Sequence, residues 1–326
     1  METLIIVGSS LSAALIALAN RDRAKQRRIV LIDSQHRFGG GPVQPYFSDT
    51  LSPEGEALVA DAIVGEWPHY LMLRQNRATS GSAPAVPDML QFDRAVCLLA
   101  PEQIHADLVT ALPPGDLRRL ADIGPLSIGR TSVDLGNERI EGDAVLDLRP
   151  ARGHAVDARI ELEMGSHLPE GTLPLSAPVL ADDTIEAGPG GALQYFPMDP
   201  RWLVMRRMWL VAQDDPGLAR DTATAPIGSI AARRTVFPFN GPAQSVPMPV
   251  PSALLPSEVP GAVALALTIA ACPTLASLDT AMTALARHHA EEGAERLAAL
   301  HMLAEASDPL LGASLSLEAL VLASRL

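Results

Sequence analysis

The sequence predicts an α/β fold in which a domain built on a parallel sheet is interrupted by an inserted antiparallel sheet. Three observations support this prediction: a strand, tight turn, helix and second strand within the first 33 residues, alternating apolar and polar residues between positions 155 and 240, and helical apolar spacing after residue 274. We therefore assign residues 1–150 and 240–326 to the first domain and residues 151–240 to the inserted β-rich substrate domain, with approximate boundaries.

Composition limits the classes of function. The chain has 326 residues, of which 48% are hydrophobic and 19% charged, so it can bury a substantial core. The net charge of −13 argues against nucleic-acid binding and against purely electrostatic binding to anionic lipid. Cys97 and Cys272 lie in separate apolar stretches, and we interpret them as core residues of a cytoplasmic protein, the alternative being a disulfide or reactive thiol.

Membrane insertion is not expected. The apolar N-terminal stretch lacks a basic start and is broken by residues 8–10, and the apolar segment 263–272 is too short to span a bilayer. Peripheral contact with a membrane stays open.

The first element has the pattern of a dinucleotide-binding βαβ unit, with strands over residues 4–7 and 29–33 around a helix at residues 14–18. The motif G-x-G-x-x-G/A has its first glycine at Gly8 and an acceptable Ala13 at its end, but Ser10 replaces the middle glycine. That glycine lets the backbone approach a pyrophosphate, so the Ser10 side chain obstructs the contact.

Asp33 ends the second predicted strand, where an acid commonly binds the ribose of a dinucleotide. Capping of a loop is the alternative role for Asp33. The tight turn alone is sufficient to explain Gly8, because glycine tolerates backbone conformations that other residues avoid.

The remaining elements follow from spacing and turn residues. We expect a helix over residues 54–66, ended by Pro68, a strand at 70–73, a helix at 101–112, strands at 126–128, 144–147 and 156–163, and helices from residue 278 to residue 303. Gly188–Gly191 resembles a hairpin turn, and no Lys-Ser/Thr follows it to make a phosphate loop.

Several blocks occurring in order resemble the bacterial lycopene β-cyclases, and together they cover about the first 210 residues. The matched blocks are residues 6–17 (family V-G-G-G-L-A-N-G-L-I-A), 31–40 (L-I-D and a Gly-Gly loop), 67–70 (W-P-x-Y), 143–149 (A-x-x-V-I-D-G-R-G), 160–163 (V-G-L-E) and 178–184 (P-I-I-M-D-A-T).

The resemblance implies a Rossmann-like FAD domain with a sheet that faces the substrate. It further implies a redox-neutral isomerisation, in which reduced FAD stabilises a carbocation while a glutamic acid protonates a linear carotene and a ring closes. The cofactor-binding residues that it implies are Gly8, Ser9, Ser10, Asp33, Gly39 and Gly40. No metal site is implied.

The chain departs from this family where the chemistry takes place. The block that carries the family's acid matches residues 202–208, which include Arg206 and Arg207 and no acid, and the flavin-closing P-T-T-G-Y-S-L segment matches residues 264–271 without any of its polar residues except Thr268. Glu163 and Asp182 are the remaining catalytic candidates. Their alternative roles are an exposed carboxylate on a strand and a turn cap, respectively.

Two functions are therefore predicted. The first is a degenerate cyclase-like pseudoenzyme that binds a carotenoid or a protein partner without normal FAD-dependent cyclisation. The alternative is an active isomerase-type cyclase that uses FAD and a surviving acid. Trp67 and Tyr70 are interpreted as packing anchors, with a carotenoid stacking surface as the alternative. The motif His288-His289 with Glu291 and Glu292 indicates a solvated helical face.

Overall fold

A computed structural model describes most of the chain. The described residues are 1–21, 26–33, 38–39, 43–74, 88–119, 127–136, 138–149, 157–167, 176–182, 192–199, 201–212, 229–239, 259–285 and 287–288. The predicted glycine hairpin at 188–191, most of the proline-rich segment at 242–260 and the helices expected beyond residue 288 lie outside them.

The helices are α1 (Leu11–Ala19), α2 (Pro53–Val59), α3 (Pro101–Ala111) and α4 (Val259–Ala271), followed by helical residues 278–285. The strands of the N-terminal part are β1 (Glu2–Val7), β2 (Arg27–Asp33), β3 (Gln44–Phe47), β4 (Ile63–Trp67), β5 (Tyr70–Arg74), β6 (Asp88–Phe92), β7 (Val96–Leu99), β8 (Leu117–Arg119), β9 (Ser127–Ile128), β10 (Ser132–Asp134), β11 (Arg139–Glu141) and β12 (Ala144–Asp147). The later strands are β13 (Asp157–His167), β14 (Val179–Asp182), β15 (Ala192–Pro197), β16 (Trp202–Ala212) and β17 (Ser229–Phe239).

The first domain is built on the parallel sheet β12-β1-β2-β8. Both faces of its central strands are buried. Leu4 and Ile6 contact the helices, while Ile5 and Val7 contact the antiparallel ribbon β11-β10-β9. This burial on both sides explains the continuous apolar run at residues 4–7, and it confirms the predicted strand, helix and strand at the N-terminus.

A small antiparallel sheet, β3-β7-β4, lies next to this domain. The prediction of one helix over residues 54–66 is wrong in its second half, because α2 ends at Val59 and residues Ile63–Trp67 form β4. Pairing with the buried strand β7 gives these residues backbone partners that a local helical pattern does not reveal.

The long sheet has the order β17-β13-β16-β15-β14-β5-β6. Its neighbouring strands are antiparallel except β14 and β5, which are parallel. Two of its strands, β5 and β6, come from residues 70–92, and the others come from the segment predicted as an inserted sheet. One face of the long sheet packs on the small sheet through Phe196, Val204 and Phe47.

The last described helix completes the core of the first domain. α4 packs against α1, and Val263 and Ala266 are buried there. The segment 264–271, where the sequence resemblance led us to expect the flavin-closing block, lies in this packing helix. Within the described residues, no helix combines the length and the apolar character needed to cross a membrane.

Candidate functional site

The turn after β1 needs glycine for reasons of backbone geometry. Gly8 has φ +130°, and a Cβ atom at this position would lie 3.1 Å from the carbonyl carbon of Leu148 and 3.3 Å from the backbone nitrogen of Arg149. The Gly8 N–H donates to the carbonyl of Ile32 at 2.9 Å. Gly8 is thus required by the close approach of the chain after β12, whether or not a ligand binds.

Ser10 caps helix α1. Its backbone has φ −59° and ψ 162°, and its Oγ accepts a hydrogen bond from the backbone N–H of Ala13 at 3.3 Å. Amides at a helix N-terminus are the groups that bind phosphate in dinucleotide-binding folds. Here the Ser10 hydroxyl already accepts a hydrogen bond from one of these amides, that of Ala13.

If Ser10 is a helix cap, two substitutions of it should change the stability of the protein by different amounts. Ser10→Ala removes the cap and is expected to lower the free energy of unfolding by about 1 kcal/mol, whereas Ser10→Gly is expected to lower it by only a few tenths. Urea denaturation of both variants beside the wild type measures the difference. Equal losses in the two variants would show that the hydroxyl is not a cap.

The turn is also covered by the chain after β2. The Gly39 N–H donates to the Ser9 carbonyl at 2.9 Å, and the Phe38 N–H donates to Nδ1 of His105 at 3.2 Å. Gly39 has φ +86°, and a Cβ there would lie 3.0 Å from Ile104 Cγ2. Ser9 is consequently buried under this segment. Gly40, the other predicted glycine of the loop, lies outside the described residues.

Asp33 lies at the carboxyl end of β2, near an ion pair. Nε and Nη2 of Arg149 donate to the two carboxylate oxygens of Asp147, each at 2.8 Å. The pKa of Arg149 is raised chiefly by the hydrogen bond to Asp147, against partial burial, with further contributions from the charges of Asp147 and Asp33. The positive charge of Arg149 therefore balances part of the negative charge of Asp33.

These residues fit a dinucleotide only in part. Asp33 stands where a ribose ligand stands in such folds. Ser10 places a side chain where the pyrophosphate would approach and also occupies the Ala13 amide. The turn fits the ribose end of FAD and does not fit its pyrophosphate.

The second candidate region is a row of polar residues across the long sheet, hereafter the polar row. It consists of Gln194, Arg206, Glu163 and Arg233, which lie directly opposite one another on β15, β16, β13 and β17. Directly paired residues of neighbouring strands share one face of a sheet. Phe196 and Val204, which pack against the small sheet, lie on this same face.

Arg206 is 0% exposed, as is Gln194. Nη1 of Arg206 donates to Oε1 of Gln194 at 3.4 Å, and Nε2 of Gln194 donates to the Leu180 carbonyl at 3.2 Å. A buried guanidinium requires a compensating negative charge, and Glu163 is the acid that the register of β13 places opposite it.

Asp182 lies on the other face of the long sheet. The strand register shifts between Val179 and Ala181, so Asp182 pairs with Leu73. Leu73 lies on the same face of the sheet as Val179 and Tyr195. The Tyr195 hydroxyl donates to Oδ2 of the buried Asp182 at 3.0 Å. The pKa of Tyr195 is raised, first by burial and then by the charge and hydrogen bond of Asp182. The sheet therefore separates the two predicted acids, Glu163 and Asp182.

The aromatic residues between the two sheets pack on one another. Tyr70 is buried between Phe47 and Phe92, with ring centroids 5.6 and 5.0 Å away, and Trp67 lies 6.1 Å from Phe196. The packing interpretation of Tyr70 agrees with this burial.

Of the proposed histidine motif, His288 is exposed, and the other members lie outside the described residues. The described residues hold no cluster of three or more possible metal ligands.

No protein-family model matches the chain. Over 81 residues it is 32% identical to lycopene β-cyclase of Pantoea ananas, a match that covers 24% of this chain and 21% of the cyclase. A second match, 34% identical over 70 residues, covers 22% of this chain and 18% of the lycopene β-cyclase of Pseudescherichia vulneris. The similarity thus spans about a fifth of the length of these cyclases.

Solved flavoprotein structures share the fold. A geranylgeranyl bacteriochlorophyll reductase-like protein from Thermoplasma acidophilum has a TM-score of 0.54 at 12% identity, over 91% of this chain and 84% of that chain. A flavin-dependent halogenase from Xanthomonas campestris has a TM-score of 0.55 at 12% identity, over 92% of this chain and 77% of that one. HpxO of Klebsiella pneumoniae, complexed with FAD and uric acid, has a TM-score of 0.55 at 9% identity, over 88% and 84%. The chain therefore has the Rossmann-type fold of FAD-binding flavoproteins and is similar to lycopene cyclases in sequence.

Proposed function

We propose that this lycopene cyclase-like protein acts in carotenoid metabolism by binding an apolar polyene, without carrying out FAD-dependent cyclisation. The observation that carries this proposal is Arg206. Its guanidinium is fully buried, and the resemblance of the sequence to the family aligns this position with the family's acid block. The alternative is that the same fold binds a protein partner instead of a polyene. The experiment below distinguishes the two.

Protonation of an alkene needs a carboxylic acid that stays protonated beside the reacting carbon. A guanidinium remains charged near neutral pH, and its positive charge disfavours a developing carbocation. Glu163 lies in register between Arg206 and Arg233, so arginines occupy the positions on both sides of it. Asp182 accepts a hydrogen bond from Tyr195 on the opposite face. Asp182 is therefore not placed to donate a proton to a substrate on the face of Arg206.

The dinucleotide turn supports the same proposal. Because Ser10 occupies the position of the pyrophosphate contact, we expect weak or no FAD binding and derive no step that depends on the flavin. The Rossmann-type domain then serves as a scaffold for the long sheet.

The absorption spectrum of the purified protein tests this function. We expect no flavin band, a shifted carotenoid spectrum when the protein is titrated with lycopene in detergent, and no ring-closed product after incubation with lycopene and reduced FAD. Ser10→Gly, which restores the family's glycine, is the matched variant, and it is expected to gain measurable FAD affinity while leaving the lycopene titration unchanged.

Three outcomes would contradict the proposal. A wild-type chain with near-stoichiometric flavin would contradict the loss of FAD binding, and one that forms cyclic carotene would be an active cyclase. A folded chain that binds no carotenoid leaves only the protein-partner variant.

A further inference from the structure

The outer strand of the long sheet, β6, is apolar and exposed. It pairs with β5 on one side, and no other strand of the described residues pairs with its outer edge. Met89, Leu90 and Phe92 are 60, 37 and 39% exposed. They account for three of the six large hydrophobic residues that are exposed in the described part of the chain, so the exposed apolar surface is concentrated on this one strand.

The other edge strands of these two sheets carry features that discourage pairing with another chain. Pro238 lies in β17, at the opposite end of the long sheet, and Pro45 lies in β3. In β4 the register shifts between Ile63 and Gly65. Proline lacks the N–H that a ladder requires, and an irregular register makes an edge a poor template. In contrast, β6 pairs with β5 in continuous register over its whole length and contains neither proline nor lysine.

The backbone of β6 favours a strand over a lipid surface as the partner. Exposed apolar side chains suit either one. The N–H and C=O groups along the outer edge of a strand require hydrogen-bond partners, which another strand supplies and lipid hydrocarbon does not. Met89 lies on one face of the sheet, and Leu90 and Phe92 lie on the other. A strand that is added at this edge contacts both faces at once.

We propose that β6 pairs antiparallel with β6 of a second copy of this chain and so forms a dimer. With the two-fold axis at Leu90, all five residues of the strand overlap. Leu90 then lies opposite Leu90 of the second copy, Met89 opposite Gln91, and Asp88 opposite Phe92. An axis at Gln91 would overlap only residues 90–92. The seven-stranded sheets of the two copies become one continuous sheet.

The charges at the ends of β6 agree with this register. The position diagonal to Asp88 is Arg94 of the second copy, two residues beyond the position directly opposite. Side chains at diagonal positions of paired strands lie within reach of each other when one of them is long. The Arg94 side chain is 42% exposed while it pairs with Asp49 of its own chain. Two-fold symmetry repeats this arrangement, so an acid and an arginine meet at both ends of the paired strands.

Sedimentation velocity of the purified protein tests this inference. The wild type is expected to be a dimer. Leu90→Lys and Leu90→Glu each place like charges opposite one another and are expected to weaken the dimer about tenfold or more. Mixed in equal amounts, the two variants are expected to form a dimer again, because lysine then lies opposite glutamate. Val109→Lys is the matched control, since Val109 is 52% exposed on α3, and it is expected to behave as the wild type does.

Three results would overturn the inference: a monomeric wild type, Leu90 variants that stay dimeric, or an equimolar mixture that stays monomeric. Circular dichroism establishes that each variant is folded. Should the charged variants not fold, oxidation of Leu90→Cys provides the second test, because directly opposed Cβ atoms lie about 4.5–5.5 Å apart and the native Cys97 and Cys272 are buried. A disulfide-linked dimer is expected for Leu90→Cys and not for Met89→Cys. No cross-link, or equal cross-linking of both, would show that the strands do not pair about Leu90.

Discussion

Arg27→Ala is expected to lower the free energy of unfolding by about 3–5 kcal/mol. Arg27 is 3% exposed, and its guanidinium donates to Asn20 Oδ1 at 3.0 Å and to the carbonyls of Ile269 and Cys272 at 2.9 and 2.8 Å. Its Nε has no partner among the described residues, so the net stabilisation is smaller than the bonds alone suggest. The variant leaves three acceptors buried without their donor, which is the main cause of the loss.

The neighbouring Arg28→Ala is the control. The Arg28 side chain is 44% exposed and pairs with Asp116, and such partly solvated ion pairs contribute about 1 kcal/mol or less. Urea denaturation at neutral pH measures both variants. Similar losses for Arg27→Ala and Arg28→Ala would mean that the Arg27 contacts do not hold α4 in place.

Arg206→Met is expected to lower the free energy of unfolding by a comparable amount, about 3–5 kcal/mol, because it removes a fully buried guanidinium that donates to Gln194 Oε1. Glu163 lies opposite Arg206 in register, so we expect Glu163→Gln to lower the free energy of unfolding as well. The double variant Arg206→Met/Glu163→Gln removes both charges and is expected to lose less than the sum of the single losses, with a coupling energy of about 1.5 kcal/mol or more.

A double-mutant cycle by urea denaturation gives this coupling directly. Arg207→Met is the matched control, because Arg207 is next on the same strand, only half-buried, and opposite Leu162 rather than Glu163. Its combination with Glu163→Gln is expected to be additive. Additivity for the Arg206 pair would show instead that Arg206 and Glu163 do not stabilise each other.

The N-terminal βαβ unit could be predicted from sequence because its signals are local. The sequence indicated Ser10 only as the residue that replaces the middle glycine, and not as the cap of α1. The apolar strand of residues 4–7 and the second strand that ends at Asp33 lie within one βαβ unit, and both were found where their patterns placed them. Such features depend on neighbours in the chain and not on the rest of the fold.

The arrangement of the long sheet could not be predicted in this way. Asp182 reaches the Tyr195 face through a break in strand register, and Arg206 meets Glu163 through the pairing of β13 with β16. Arg27 gave no sequence signal, because the burial of a guanidinium depends on elements far away in the chain. In each case tertiary pairing, and not local propensity, sets the environment of the side chain.

The contact between Arg27 and the end of α4 has a consequence for synthesis of the protein. The residues joined lie 242 and 245 positions apart, and α1 packs against the same helix. At translation rates of about 5–20 residues per second, the ribosome needs roughly 10–50 s to supply α4 after Arg27 has been made. The face of α1 that packs against α4 stays uncovered in the nascent chain during that interval, so we expect chaperones to bind it until α4, in the last quarter of the chain, has been made.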